Sequence, residues 1–294
     1  MQGQHVTVRL NTPGGSVDEG IAIYNALKRH QGGVTTIVDM SVQRYGEKIF
    51  DGLAEWHRKA TGECAIDYAF HQIIGGVDDQ SLKDMKYLTE HEGISSFKLF
   101  MAYPGVFYSD DGQILKAMQT AAECGAMIMM HAENGPAIDV LVQQALARGD
   151  TDPRYHSYTR PSPLEAEATH RAIVLSHVAG NVPLYIVHMS AGDALNEVAA
   201  ARHHGRNVFA ETCPQYLLLY EERYKEPDWN GAKYVMSPPL RTKESNAGST
   251  ASNACVSFCA TESAAGGEPL KGTCVASNPA AAFNNSIDKC EELP

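Results

Sequence analysis

The chain has 294 residues, 44% of them hydrophobic and 20% charged, and carries a formal net charge of −11. This composition supplies one large core, and with no clustered basic residues to follow a phosphate backbone it argues against nucleic-acid binding. No apolar run approaches the roughly 18 residues of a membrane span and no signal-peptide pattern opens the chain, so a cytoplasmic protein without a membrane partner is expected.

Residues 1–31 read as a unit of their own: a strand at Val6–Leu10, a turn at Asn11–Gly15 and an amphipathic helix from Val17 to His30. The Gly14-Gly15 pair either makes a tight turn or presents backbone N–H groups to an anion or oxyanion. From Gly32 to Lys243 strands and helices alternate. Strands are expected at Val34–Asp39, Cys64–Ile74, Ile94–Tyr103, Ala126–His131, Val182–Val187 and Asn207–Thr212. Helices are expected at Phe50–Ala60, Ser81–Glu92 and Asp111–Cys124, the last capped by Ser109 or Asp110 and stopped by Gly125. A long polar connection follows His131. Ser162-Pro-Leu-Glu165 then reads as a capping box that opens a helix running to Gly180. A further helix is capped by Ser190 and ends near Gly205. Residues 244–294 are rich in Ala, Ser, Asn, Gly and Cys, and a low-complexity, disordered tail is expected there. Cys64, Cys124 and Cys213 read as buried thiols. Cys255, Cys259, Cys274 and Cys290 in the tail lack the paired spacing of a zinc site.

The organising stretch is Ile94–Tyr103. Alternation puts Phe97, Leu99 and Met101 on one face and Ser96, Lys98 and Phe100 on the other. A lysine in such a run is costly unless its charge is removed or paired, or unless it snorkels from an edge strand. Two later strands end in His131 and His188, so three strands in succession deliver a nitrogen near their carboxyl ends. That is how a parallel barrel builds a metal site. Strand–helix–strand units at this spacing imply right-handed parallel crossovers and an α/β fold of (β/α)8 TIM type. A complete barrel needs about 250 residues, so an incomplete one is expected over 32–243.

Two resemblances can be named on these residues. Leu10–Val17 with Gly20–Leu27 resembles the Clp-type serine proteases, notably phage head-maturation forms, whose later nucleophile and histidine segments find no counterpart here. Gly33–Asp39, Phe97–Tyr103, His131-Ala-Glu-Asn134, His188-Met-Ser-Ala191, Glu211–Tyr216 and Ser237-Pro-Pro-Leu-Arg241 together resemble bacterial dihydropyrimidinases and D-hydantoinases, cyclic-amide hydrolases of the amidohydrolase superfamily. That resemblance implies a small cyclic amide or imide substrate, two zinc ions per subunit and a homotetramer. It implies that Lys98 is carboxylated to a bridging carbamate. It also implies that His131 and His188 hold the second metal, that Tyr103 donates to the oxyanion and that Ser237 contacts the substrate ring through its backbone.

The family pattern is incomplete at both ends. None of the twelve histidines forms the His-x-His pair that should end the first strand, and the pattern stops before the aspartate and asparagine of the last strand. A half-equipped site with at most one supported metal is expected, with hydrolysis impaired; a non-catalytic scaffold or an inactive chimeric fragment is the alternative. Glu133 is placed to orient His131, to cap a helix or to form a salt bridge. His203 and His204 suit a helix C-terminus; His170 and His177 read as surface or packing residues, and His57 and His71 have no assignment. Met127, Met129 and Met130 read as core filling.

Overall fold

A computed structural model describes residues 36–246 and the backbone of Val8–Arg9. Its strands are β1 (Val8–Arg9), β2 (Thr36–Val42), β3 (Asp67–Ile73), β4 (Ser96–Phe100), β5 (Met127–His131), β6 (Leu184–Ile186) and β7 (Val208–Ala210). They form one sheet in chain order, and each strand pairs parallel with the next. Helices α1 (Ile49–Ala60), α2 (Asp79–His91), α3 (Asp111–Cys124), α6 (Ser162–Val178) and α7 (Gly192–His203) make the crossovers, with α4 (Gly135–Ala147), α5 (Tyr155–Tyr158) and α8 (Pro214–Leu218) added to the loops. This is an incomplete TIM-type barrel, as the alternation predicts. The helix read at Val17–His30 and the tail from 247 onward lie outside the described residues.

The two faces of the sheet have different work. Phe97, Leu99 and Met101 of the β4 run pack outward with Met85, Ile114 and Met118 of the helices. Met40, Ile73, Phe100, Met129, Tyr185 and Val187, all from strands or their ends, form a separate cluster on the inner face. Lys98 is in register with Met129, and Phe100 with His131, so the amine and the imidazole rise from adjacent strands at the same end of the sheet.

Local sequence explains most boundaries. Asp78 and Ser81 form a reciprocal capping box on α2, and Asp110 and Gln113 do the same on α3. Gly125 ends α3 at φ 72°, in the left-handed region where glycine carries no penalty. Three expectations are corrected. The polar connection after His131 contains α4, capped by the Asn134 side chain on Ala137 N at 3.1 Å. Its apolar residues are spread around the helix, with Val140 and Leu146 exposed, so no single stripe marks it. Ser162 and Glu165 do not form a capping box. Ser162 Oγ instead donates to Asp193 at 2.7 Å, and Glu165 turns inward. Ser190 does not cap α7, whose N-cap is Ala191. In addition, β2 is half-buried over its first four residues, and Cys64, Cys124 and Cys213, read as buried thiols, are half-buried. Among the described residues no helix is long and apolar enough to cross a membrane.

Gly135, at the start of α4, fixes how closely that helix approaches β4. A Cβ there would lie 2.6 Å from Ala102 Cα and 2.9 Å from Met101 O, both backbone. Gly135→Ala is therefore expected to cost roughly 1–3 kcal/mol through forced backbone movement, measured by urea unfolding. Unchanged stability would mean that α4 can slide freely.

Candidate active site

The carboxyl ends of β2 to β7 surround a cavity of about 760 Å³. Lys98, Tyr103, His131, His188, Cys213, Met236 and Ser237 all line it. Every residue expected from sequence to bear on the chemistry therefore faces one space. Lys98 is 3% exposed, His131 1% and His188 8%. Tyr103 and His188 hold φ of 65° and 44°, a region that costs a non-glycine residue about 1–3 kcal/mol and is populated mainly where the surroundings require it.

The two imidazoles are oriented by a third group. Glu133 Oε2 lies 2.8 Å from His131 Nε2, and His131 Nδ1 lies 3.0 Å from His188 Nε2. Glu133 therefore orients His131, and the capping of α4 falls to Asn134. Glu133 accepts the Nε2 proton of His131, and a single proton is shared along the line from His131 Nδ1 to His188 Nε2. That leaves His188 Nδ1 buried with no hydrogen-bond partner, an arrangement costly enough to require an explanation. Burial pushes the Glu133 carboxyl up, yet the hydrogen bond and charge of His131, with Arg241 and Arg160 beyond, outweigh it and hold the group below its usual value. Burial, then the charges of His131 and Lys98, keep His188 well below the ordinary imidazole range.

Lys98 is held by burial at a pKa of about 8, against the pull of Glu211 and Cys213. Its Nζ sits 4.8 Å from the centre of the Phe100 ring. Tyr103 packs its ring on His131, centroids 5.0 Å apart. Burial and then Glu133 push its phenol up to about 12, while a hydrogen bond to the Ser237 side chain works the other way. Tyr103 is thus a proton donor at every physiological pH.

The donor set fits one zinc ion in part. His131 and His188 bring two nitrogens to one point, and Lys98 is the third candidate from the neighbouring strand. Among the described residues no group of three His, Cys, Asp or Glu could hold a metal, so the fit depends on Lys98 becoming a ligand. The β2 side of the cavity offers Met40, Val42 and Arg44, none of them a zinc donor.

Sequence reasoning missed the network behind the site. Glu165 is 2% exposed and accepts from Ser190 N at 2.8 Å, Ser190 Oγ at 2.6 Å, Ala191 N at 3.2 Å and Arg241 at 2.7 Å. Arg241 also donates to Ser190 Oγ and to the Arg160 carbonyl. This links the loop after His188 to the segment that carries Ser237. His170 and His177 are exposed, on Glu197 and Arg206 respectively, and His203 and His204 end α7 as expected.

Comparison with known proteins agrees with this geometry. The chain is 62% identical over 216 residues to a D-hydantoinase of Streptomyces coelicolor, covering 74% of this chain and 46% of that protein. It is 49% identical over 212 residues to a D-hydantoinase of Geobacillus stearothermophilus, covering 72% and 45%. The crystal structure of dihydropyrimidinase from Brevibacillus agri superposes with a TM-score of 0.71 at 47% identity, covering 74% of this chain and 46% of that one. The chain matches the D-hydantoinase/dihydropyrimidinase family. It spans about half the length of the hydantoinases it matches. The Clp protease family model matches residues 1–97, so the resemblance read at the N-terminus is found again and extends into the strands and helices from β2 to β4.

His156, bonded to the Met236 carbonyl beside the cavity, shows how burial there links to pH. Burial first, then Arg160, hold its imidazole down at about 4. Between pH 4 and 6.5 the unfolded chain therefore binds more protons than the folded one. The stabilisation is complete above about pH 6.5 and is lost as pH falls through that window, by up to about 3 kcal/mol from this group. His156→Gln is expected to flatten that part of the loss in urea unfolding followed from neutral to acid pH; an identical slope would contradict the assignment.

Proposed function

We propose that residues 32–243 are the metal-binding and substrate-orienting part of a cyclic-amide hydrolase of hydantoinase type, preceded by a Clp-like segment at 1–31 and followed by a tail at 244–294. What carries this reading is that Lys98, His131, His188, Tyr103 and Ser237 face a single cavity at the carboxyl ends of parallel strands. His131 and His188 would hold one zinc ion, with Lys98 as its carbamate completing the set. The low proton affinity of Lys98 favours the neutral amine that reacts with carbon dioxide. Zinc bound there supplies Lewis acidity and water acidic enough to act as a nucleophile near neutral pH.

The protein's own groups do the rest. Glu133 holds the His131 tautomer so that Nδ1 faces the cavity. Tyr103, protonated and fixed against His131, is placed to donate to the oxyanion formed when a ring amide is attacked. Ser237, which lines the same cavity, holds the ring through its backbone. The substrate is a small cyclic amide or imide, and a cytoplasmic homotetramer follows the family.

Zinc-loaded protein assayed on hydantoin and dihydrouracil tests the reading. Slow but Lys98-dependent ring opening supports it. Turnover at the rate of an intact homologue would remove the claim of impairment, and hydrolysis unaffected by Lys98→Met would remove the assigned site. The lack of a three-residue donor set among the described residues supports a second reading, a non-catalytic scaffold or inactive chimera. That reading predicts no zinc uptake.

A further inference from the structure

The segment Met236–Arg241, which brings Ser237 to the cavity, is gripped by side chains from four other parts of the fold. His156 Nε2–H of α5 donates to Met236 O at 2.6 Å. The Tyr216 hydroxyl of α8 donates to Pro238 O at 2.6 Å. Leu240 N donates to the Tyr224 hydroxyl at 2.8 Å, and Arg241 is anchored on Glu165 at 2.7 Å. The first bond holds the peptide plane that enters Ser237, and the second holds the plane between Pro238 and the next proline, so together they bracket Ser237 and the proline after it.

We propose that His156 and Tyr216 are positioning residues for the substrate ring, setting the place of Ser237 by holding the carbonyls on either side of it. The proposal rests on the reading of the cavity as a cyclic-amide site. Neither residue has been given a role by the metal chemistry.

The local chemistry makes both bonds directional. Arg160 donates to His156 Nδ1 at 3.2 Å, which leaves that nitrogen an acceptor and puts the ring proton on Nε2, aimed at Met236 O. The charged groups around the ring are Arg160, Arg241 and Glu133, and the two arginines both favour the neutral form. The ring also lies edge-on to Tyr224, with centroids 6.1 Å apart. Tyr216 is 2% exposed, and burial holds its phenol protonated and able to donate. Loss of either donor leaves the carbonyl of a residue flanking Ser237 without its partner, a cost wherever the group is buried. Ser237 and Tyr103 line the same cavity, so a shift of Ser237 changes the space in which the ring meets the phenol.

The test uses the full chain loaded with zinc, as parent, His156→Leu, His156→Gln and Tyr216→Phe. Two readouts are taken on each: hydrogen–deuterium exchange of peptides covering 235–241 and 127–131, and calorimetric titration with hydantoin. His156→Leu and Tyr216→Phe are expected to speed exchange in 235–241 by about tenfold while leaving 127–131 unchanged, and to weaken hydantoin binding by about tenfold, the value of one buried hydrogen bond. His156→Gln keeps a donor at the Nε2 position and is expected to stay within about threefold of the parent in both. Exchange in 235–241 unchanged by both disruptive variants overturns the proposal. So does faster exchange with unaltered hydantoin affinity. A parent that binds no hydantoin overturns the reading of the cavity and with it the positioning role, while the exchange result in that same sample still separates a segment that His156 and Tyr216 hold from one they do not.

Discussion

Glu165→Ala is expected to lower the unfolding free energy by about 3–5 kcal/mol, as for breaking a buried ion pair from one side. Arg241 is 4% exposed, so its guanidinium would keep its charge in the interior with only Ser190 Oγ and the Arg160 carbonyl as partners. Ser190 N and Ala191 N would also lose their shared acceptor. Glu165→Gln keeps one acceptor oxygen for those amides but not the charge, and is expected to fall between the two. Urea unfolding at neutral pH measures both. A loss below about 1 kcal/mol for Glu165→Ala, the size of an exposed pair, would show that the network is not closed as described.

The second large effect runs in opposite directions for stability and for binding. Lys98 has a folded pKa of about 8 against an ordinary 10.5. Between those values the unfolded chain binds more protons, so stability rises with pH through that window and at neutral pH the buried amine costs up to about 3 kcal/mol. Lys98→Met keeps the volume and removes the charge. It is expected to stabilise the metal-free chain by up to that amount at pH 7, while weakening zinc binding by at least the about 10–100-fold that loss of an outer partner of a ligand costs. Thermal unfolding with and without zinc reads both at once: a higher midpoint without metal, and no further rise when zinc is added. A variant less stable than the parent would mean that Lys98 contributes to the core and is not held there at a cost.

Sequence alone showed most of the sheet and which side chains line the cavity, for physical reasons. A parallel strand buried on both sides must alternate its packing partners, so Lys98 among Phe97, Leu99 and Phe100 had to point into the inner face. Asp110 and Gly125 are residues whose chemistry has few other uses at those places, and they bound α3 as expected. Glu165 was hidden because a carboxylate in the first turn of a helix looks the same whether it bonds its own N-terminus or reaches across to Ser190 and Arg241. Helix α4 was hidden because its apolar residues lie on several faces. The grip on Ser237 was not legible either. His156, Tyr216 and Tyr224 act through bonds to backbone carbonyls and amides far along the chain, and nothing in the identity of the residue receiving such a bond records it.

The central claim is that Lys98, His131 and His188 make one metal site, and equilibrium dialysis of the full chain against zinc tests it most directly. The account predicts about one zinc ion per chain, held by the two imidazoles and the carboxylated lysine, and loss of that zinc in Lys98→Met, His131→Ala and His188→Ala alike. A parent chain that takes up no zinc, or zinc content that survives the loss of Lys98, would contradict it.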